Sequence, residues 1–303
     1  MEFHFKGQCP FYEIWYGKLN IAPNEAFWFR YTLLNGKTKE AALWAIYFHP
    51  EKIIAQKKVY ALSDLSFTQD VRLPSGLLND TKTQGSLDRL QWNFIYENKG
   101  GSFDPVPFLF KFLHLSQSST KTVASNAHFN GTLTIDGKSH SLYNVRGMMG
   151  HVWGKKQAQE WTWAHCNTFP EEGVIFEGLS ARIHHHLKPL TSLYLKYNGK
   201  EYFFNSAIDL FKTHTRFGYT FWHFSAHHKD ISIKGTVQSI PQKIAVVTYT
   251  DTDNSHLYCH NSKLATLELS LIDHKTKEKK SLVSESAALE WVTREEPSGD
   301  ILL

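Results

Sequence analysis

Short runs of apolar residues, separated by turn residues, recur along the first half of the chain. Residues 27–34 are rich in aromatic and aliphatic side chains, and Asn35-Gly36, which follows them, is typical of a two-residue hairpin turn. Residues 41–48 then form the second arm of this predicted hairpin. Similar runs lie at 58–62, 90–96, 108–115, 128–135 and 140–145. No helical period separates them, which predicts a β-meander that closes into a barrel or sandwich.

The second half of the chain repeats this pattern. Its predicted strands are 160–166, 173–183, 192–197, 201–205, 219–226, 230–237, 243–249, 265–272 and 286–292, and only residues 206–212 suggest a short helix. Gly147, Gly150 and Gly154 crowd the middle of the chain, where we place a boundary. The sequence therefore predicts an all-β protein with two consecutive β-barrel domains, residues 1–150 and 151–303.

Composition and charge narrow the classes of function. The 303 residues suffice for two domains with proper cores, and 14% of them are aromatic. An all-β fold and a roomy apolar ligand cavity would both account for that aromatic excess. The formal net charge is +4, and the lysines are spread along the chain, which argues against nucleic acid binding. Basic patches at 37–39 and 275–280 fit solvated hairpin tips, with a membrane-surface role as the less favoured alternative.

Cysteine usage and the N-terminus bear on the compartment. Cys9, Cys166 and Cys259 lie far apart, and their odd number argues against a disulfide framework. The first residues lack a basic region followed by an apolar core, and no apolar run approaches the roughly 18 residues that span a bilayer. We expect a cytoplasmic protein, with peripheral membrane contact left open as a way to collect an apolar substrate.

The unusual residues of the chain collect around the predicted boundary. Between the closely spaced glycines stand His151 and Trp153, which face the same side if the segment is extended. Glycines at this density indicate tight turns or close backbone approach. We take His151 as a candidate catalytic residue and Trp153 as a candidate substrate-binding residue. The alternative is that His151 is an interdomain histidine whose hydrogen bonds are satisfied.

A strand with two different faces follows eight residues later. Alternation places four bulky or polar side chains on one face, and small side chains on the other; the four are Trp161, Trp163, His165 and Asn167. Such a face suits a pocket wall that binds an apolar or aromatic ligand, so all four are candidate substrate-binding residues. The alternative is that the tryptophans fill a core and the two polar residues are bonded at a strand end.

Glu177 is the second candidate catalytic residue. It lies in an apolar run, on the same face as Ile175 and Leu179, where a carboxylate is costly unless it is protonated or paired. Burial would raise its pKa and make it a proton donor near neutral pH. The alternative is an edge position from which the carboxylate reaches water.

Other histidines and motifs add little. Residues 184–186 place two imidazoles on one strand face, which could bind zinc with a third ligand, but no HExxH or CxxC pattern accompanies them. We therefore predict no metal site. The chain also lacks the GxSxG, phosphate-loop and dinucleotide signatures of hydrolases and nucleotide enzymes. No cofactor is expected.

The central segment resembles a known family. Gly150-His151-Val152-Trp153-Gly154, followed by Trp161-x-Trp163-x-x-Cys166-Asn167-x-Phe169, is similar to the central motif of tocopherol cyclase-like proteins, and more distantly of carotenoid hydratases. The similarity continues through residues 193–204, 224–226 and 287–290. It is thinner in the first half, where it rests on residues 12–16 and 85–93.

This resemblance implies a fold and a chemistry. The fold would be two lipocalin-like barrels with a site between them, and the chemistry would be cofactor-free protonation of an isoprenoid or polyene alkene. A phenol or water would then capture the cation. By position, His151 and Trp153 match the hydratase-type pair, and Glu177 falls near an acidic residue of that group. The acid that commonly stands beside the motif histidine is absent, and His-Val replaces the cyclases' Lys-Asn before Trp-Gly.

Together these observations give a ranked set of functions. We expect a tocopherol cyclase-like protein that acts on an apolar small molecule by alkene protonation, followed by cyclisation or hydration. The first alternative is a carrier or sensor of apolar metabolites that shares the cavity but has no catalytic acid. A carbohydrate-binding sandwich with exposed tryptophans is the weaker alternative. The sequence does not indicate an oligomeric state.

Overall fold

The chain folds into two large antiparallel sheets. The computed structural model describes residues 2–67, 69–106, 117–184, 186–297 and 299–303. The strands of the first sheet are β1 Phe11–Ala22, β2 Glu25–Asn35, β3 Lys39–His49, β4 Lys52–Ala61, β5 Ser66–Phe67, β6 Val71–Leu73, β7 Gly76–Leu78, β8 Lys82–Ser86, β9 Leu90–Asn98, β10 Ser118–Ile135 and β11 Lys138–Gly154. A 3-10 turn, Leu62–Asp64, follows β4. The predicted strand at 108–115 lies outside the described residues.

The second sheet follows the same pattern. Its strands are β12 Glu160–Cys166, β13 Ile175–Arg182, β14 Leu190–Tyr197, β15 Lys200–Phe204, β16 His214–Gly218, β17 Phe221–His227, β18 Ile231–Gln238, β19 Ala245–Thr250, β20 His256–Asp273 and β21 Lys279–Thr293. Helix α1, Ala207–Lys212, confirms the short helix and begins at the Ser206 cap, whose side chain accepts a hydrogen bond from the Asp209 backbone. A 3-10 turn, Pro241–Lys243, precedes β19.

The two sheets have a similar strand connectivity. The first is ordered β4-β3-β2-β1-β11-β10-β9-β8-β7-β6-β5, and the second β15-β14-β13-β12-β21-β20-β18-β17-β16, with β19 on β20. In each, the first strand of the meander pairs with the last, β1 with β11 and β12 with β21. The predicted hairpin of β2 and β3 is present, but Asn35 pairs with Lys39, so its loop is residues 36–38 and not a two-residue turn. The all-β prediction is confirmed.

The three largest apolar clusters among the described residues form the cores of the molecule. One fills the first barrel and includes Trp15, Phe29 and Trp92. Another fills the second barrel. The third lies between the barrels, where Trp28 and its neighbours on β2 and β3 pack against β19 and β20 residues such as Tyr249. This third core joins the two barrels through side chains that a single barrel would expose to water.

The two sheets separate between Gly154 and Glu160. This point lies a few residues beyond the predicted boundary at residue 150. His151 and Trp153 consequently belong to the last strand of the first sheet. All three cysteines are unpaired, and Cys166 and Cys259 are buried. Among the residues that the structure describes, no helix is long and apolar enough to cross a membrane.

Candidate ligand site between the two barrels

A cavity of about 440 Å³ lies between the two barrels. Strands β1 and β2 supply one wall, and β12 and β13 supply another. Aromatic side chains from both barrels line it: Tyr12, Tyr16, Trp28, Trp161, Trp163 and Tyr249. A largely apolar cavity with a few polar groups is the usual form of a small-molecule site. We call it the interbarrel cavity.

A second cavity, of about 560 Å³, lies on the first barrel beside β6 to β9. Its wall consists of turn and strand residues that include Trp92 and Arg72. None of the described residues that line it is a histidine or a carboxylate. The interbarrel cavity, although smaller, combines aromatic walls with ionisable groups, so we regard it as the candidate site.

The period of two along each strand decides which residues reach the interbarrel cavity. On β1, the odd-numbered Phe11, Trp15 and Leu19 belong to the first core. The even-numbered Tyr12 and Tyr16 point the opposite way and line the cavity. On β12, alternation brings both predicted tryptophans, Trp161 and Trp163, to the cavity wall. The cavity is thus built from the outer face of one barrel and a face of the other.

Glu177 is not among the residues that line the interbarrel cavity; it is buried behind the wall, in contact with Trp163, which lines it. It shares its strand face with Leu179 and Ala181, which line the cavity, and only 2% of its surface is exposed. Trp163 donates Nε1–H to Glu177 Oε1 over 3.0 Å, and the Thr122 hydroxyl donates to the same oxygen. The second oxygen, Oε2, is buried and has no hydrogen-bond partner among the described residues.

Burial raises the pKa of Glu177 from 4.5 to about 7. The hydrogen bonds from Thr122 and Trp163 and the charge of Lys18 act in the opposite direction, and desolvation outweighs them. Near neutral pH a substantial fraction of this carboxyl group therefore carries a proton. This property is the one that a general acid requires.

An ion pair also borders the interbarrel cavity. Glu290 on β21 lines the cavity and accepts a hydrogen bond from Lys263 Nζ at 2.8 Å. Lys263 is fully buried, and its ammonium group lies 5.7 Å from the ring of Trp163. Because the two charges satisfy each other, this end of the cavity carries a fixed dipole without a net charge from the pair.

His165 and Asn167 join the two barrels. His165 donates from Nε2 to the backbone oxygen of Ser125 over 2.9 Å, and Asn167 donates from Nδ2 to the backbone oxygen of Gly147 over 2.8 Å. Burial and the charge of Lys18 lower the pKa of His165 well below its usual range, so its ring is neutral. Neither residue lines the interbarrel cavity. These contacts match the alternative in which the two side chains are bonded within the structure.

His151 and Trp153 lie on the other face of β11. Both rings pack in the first barrel, His151 at 5.3 Å from the ring of Trp15 and at 4.7 Å from that of Trp153. His151 Nε2 lies 2.9 Å from Glu13 Oε1. His151 thus has an acidic partner in space, although none stands beside it in the sequence. The structure does not bring His151 and Glu177 together, because they face different compartments.

The same carboxylate fixes the N-terminal segment. Glu13 accepts hydrogen bonds from the backbone N–H groups of His4 and Phe5, each over 2.9 Å. Among the described residues, His4, Glu13 and His151 form a group with ligand atoms within 4.8 Å of one another. Glu13 already bonds to three groups, whereas the buried Nε2 of His4 has no hydrogen-bond partner among the described residues. Of the histidines at 184–186, His185 lies outside the described residues.

Sequence reasoning missed Glu13 and Arg30. Each is a single charged residue in an otherwise apolar strand, Glu13 within residues 11–16 and Arg30 within residues 26–34. A buried charge without a visible partner is a signal that could have found both. Glu13 is fully buried in the first barrel, whereas Arg30 lines the interbarrel cavity.

Fold and site together define a class: a lipocalin-like double-barrel protein with an aromatic small-molecule cavity between its barrels. The family model for tocopherol cyclase-like proteins matches residues 109–292 of the chain. The chain belongs to the tocopherol cyclase-like family, as the resemblance in its central motif predicted.

Similar proteins include two curated relatives and two solved folds. Uncharacterised proteins of Mycobacterium tuberculosis, from strains CDC 1551 and H37Rv, are each 22% identical over 191 residues, which is 62% of this chain and 57% of theirs. The chain thus spans little more than half of these relatives. A Nitrosomonas europaea protein assigned as AttH has a TM-score of 0.58 at 11% identity, covering 92% of this chain and 91% of its own. CghA, solved with Sch210972, has a TM-score of 0.60 at 11% identity, covering 96% and 90%. These two similarities concern the fold alone.

Proposed function

We propose that the protein binds an apolar isoprenoid or polyene molecule in the interbarrel cavity and that Glu177 protonates one of its alkenes. The observation that carries this proposal is the state of Glu177, a buried carboxyl group with a pKa of about 7, located behind the aromatic wall. Its Oε1 is held by Trp163 and Thr122, which leaves Oε2 as the oxygen that carries the proton.

The proposed reaction balances without a cofactor. The proton of Glu177 adds to one alkene carbon, and the other carbon becomes a cation. A hydroxyl oxygen of the substrate closes a ring on this cation, or a water molecule adds to it. The oxygen that attacks then loses its proton to the Glu177 carboxylate, which restores the acid.

The aromatic walls support the cationic step. The indole of Trp163 borders the cavity beside the carboxyl group, and Trp161 and Tyr16 lie in the same wall. An aromatic face stabilises a cation by about 0.5–2 kcal/mol, with more in a desolvated site. Exclusion of bulk water also limits premature capture of the cation. His151 has no place at the reacting atoms in this scheme.

A turnover assay with a prenylated benzoquinol or a polyene tests this proposal, with product and solvent deuterium incorporation followed by mass spectrometry. We expect Glu177→Gln to lower kcat by at least about 100-fold, because general acid catalysis contributes this much. Glu13→Gln is the matched control, since Glu13 is equally buried but faces the first barrel. It should retain activity, as should His151→Gln.

Three results would overturn the proposal. Turnover by Glu177→Gln at the wild-type rate would exclude Glu177 as the acid, and loss of activity in His151→Gln alone would transfer that role to the first barrel. Binding of the polyene by the wild-type protein without any product would assign a carrier instead. Activity should also fall as pH rises through about 7, because the acid must carry its proton.

A further inference from the structure

Arg30 is a buried cation on the wall of the interbarrel cavity. It lies on β2, in the row of side chains that faces the second barrel, between Trp28 and Thr32. Only 7% of its surface is exposed, and it lines the cavity. Its guanidinium carbon lies 3.8 Å from the centre of the Tyr249 ring and 5.5 Å from that of Trp44.

Among the described residues, the Arg30 guanidinium has no anionic partner. Within the described parts of the chain, no carboxylate lies within 4 Å of it, and its buried Nε has no hydrogen-bond acceptor. The other buried cations near this interface differ: Arg294 pairs with Asp251 at 2.7 Å, and Lys263 pairs with Glu290 at 2.8 Å. A buried charge without a partner is costly, so such a group usually serves a ligand.

The surroundings of the cavity carry excess positive charge. Lys263 and Glu290 cancel each other, and Glu177, with its raised pKa, is only partly ionised near neutral pH. Lys18 is fully buried behind the cavity, and its ammonium group hydrogen-bonds to an amide oxygen of Asn20, without a carboxylate. An anion in the cavity would therefore be attracted by the unpaired charge of Arg30. The carboxylate of Glu290, which also lines the cavity, is already paired with Lys263.

We propose that Arg30 is the receptor for a carboxylate group on the ligand, and that the ligand is an amphiphile whose apolar chain lies along the aromatic walls. A guanidinium presents parallel N–H donors that match the two oxygens of a carboxylate. The ring of Tyr249, whose centre lies 3.8 Å from the guanidinium carbon, packs against the guanidinium, and both residues line the cavity. This inference rests on the proposed function, since it uses the same cavity, and it adds the chemistry of the head group.

The probe is cis-parinaric acid, a polyene whose fluorescence rises in an apolar site, compared with its methyl ester. The ester keeps the chain and removes the charge. We expect the wild-type protein to bind the acid at least about tenfold more tightly than the ester, as a charge-assisted hydrogen bond allows. Arg30→Gln should abolish this preference, because it should weaken binding of the acid and leave binding of the ester unchanged. Arg30→Lys should keep part of this preference, because the positive charge remains but the parallel N–H donors of the guanidinium are lost.

Arg216→Gln is the matched control, because Arg216 is an exposed arginine on β16 that does not line the cavity. It should keep the wild-type preference for the acid, and so should Glu177→Gln. Equal binding of acid and ester by the wild type, or an unchanged preference in Arg30→Gln, would overturn the inference. If Arg30→Gln fails to fold, the wild-type and Arg30→Lys measurements still decide it.

The outcomes separate this inference from the proposed function. Tight but equal binding of both probes removes the carboxylate receptor and leaves the apolar cavity in place. Binding of neither probe removes both. A preference for the acid together with full activity in Glu177→Gln keeps the receptor and removes the proposed catalytic acid.

Discussion

Glu177 and Arg30 both bring an ionisable group into the apolar interface between the barrels, but they differ in how the cost of burial is met. Glu177 can take up a proton, and burial raises its pKa to about 7. Arg30 cannot lose its charge, so only an anion can neutralise it. The two residues therefore point to two parts of one ligand, an alkene near Glu177 and an acidic head near Arg30.

The raised pKa of Glu177 predicts a specific dependence of stability on pH. The folded protein holds this proton up to about pH 7, whereas the unfolded chain releases it near pH 4.5. Between these values the folded state binds more protons, so the free energy of unfolding falls as pH rises. The rise of this pKa from 4.5 to about 7 corresponds to roughly 3 kcal/mol in the free energy of unfolding.

Urea unfolding of the wild type and Glu177→Gln across this pH range measures that effect. The uncharged amide of the variant lacks the titration, so its stability should rise relative to the wild type by roughly 3 kcal/mol between pH 4.5 and 8. Most of this change should be complete just above pH 7. Parallel stability curves for the two proteins would show that Glu177 titrates at its ordinary value.

At the residue scale, the sequence identified those candidate residues that stand out from their immediate neighbours in the chain. Glu177 stood out because it interrupts an apolar strand, and its burial is confirmed. His151 stood out through its motif, but its acidic partner Glu13 lies 138 residues away and comes from a different strand. Such partners depend on the pairing of β1 with β11, which no local pattern specifies.

At the element scale, β11 separates two environments. Its odd-numbered residues, including Met149, His151 and Trp153, face the first core. In the last part of this strand, the even-numbered Met148 packs with Trp163 of the second barrel, and Val152 lines the interbarrel cavity. The period of two predicted that His151 and Trp153 share a face, but both faces of this strand are buried. Periodicity alone therefore could not tell which compartment they enter.

The glycines of β11 allow close approach of neighbouring chains. A Cβ atom added at Gly147 would lie 2.1 Å from the backbone oxygen of Lys18, and one at Gly154 would lie 2.3 Å from that of Gln117. Close backbone approach, one of the two explanations that the sequence suggested for these glycines, is thus confirmed. Tight turns are not the reason at these two positions, because both lie within an extended strand.

Gly147→Ala should therefore destabilise the protein by at least about 2 kcal/mol, because a backbone oxygen cannot move aside as a side chain can. Gly299→Ala is the control, since nothing lies within 4 Å of a Cβ atom at that position. Denaturant unfolding of both variants measures the difference. Equal stability of the two variants would mean that β1 and β11 can separate at little cost.

At the scale of the whole molecule, the interface between the barrels is the feature that creates the site. An antiparallel meander in each half of the chain followed from turn spacing, but 16 strands were predicted whereas the described residues form 21, because short strands such as β5, β6 and β7 contain no long apolar run. The sequence did not predict the third core, because the residues of this core occupy strand faces that could equally be exposed to water or line a ligand cavity. Trp28 and Tyr249, for example, come from different halves and meet only when the barrels dock.

In the function proposed above, the ligand binds between the barrels and not inside the first one. Native mass spectrometry with a prenylated benzoquinol tests it on the wild type and two variants. Ala181→Trp fills the interbarrel cavity that Ala181 lines, whereas Trp153→Phe alters the aromatic cluster of the first barrel. We predict one bound ligand in the wild type and in Trp153→Phe, and none in Ala181→Trp. Loss of the ligand from Trp153→Phe, with retention in Ala181→Trp, would contradict the account and place the site around His151.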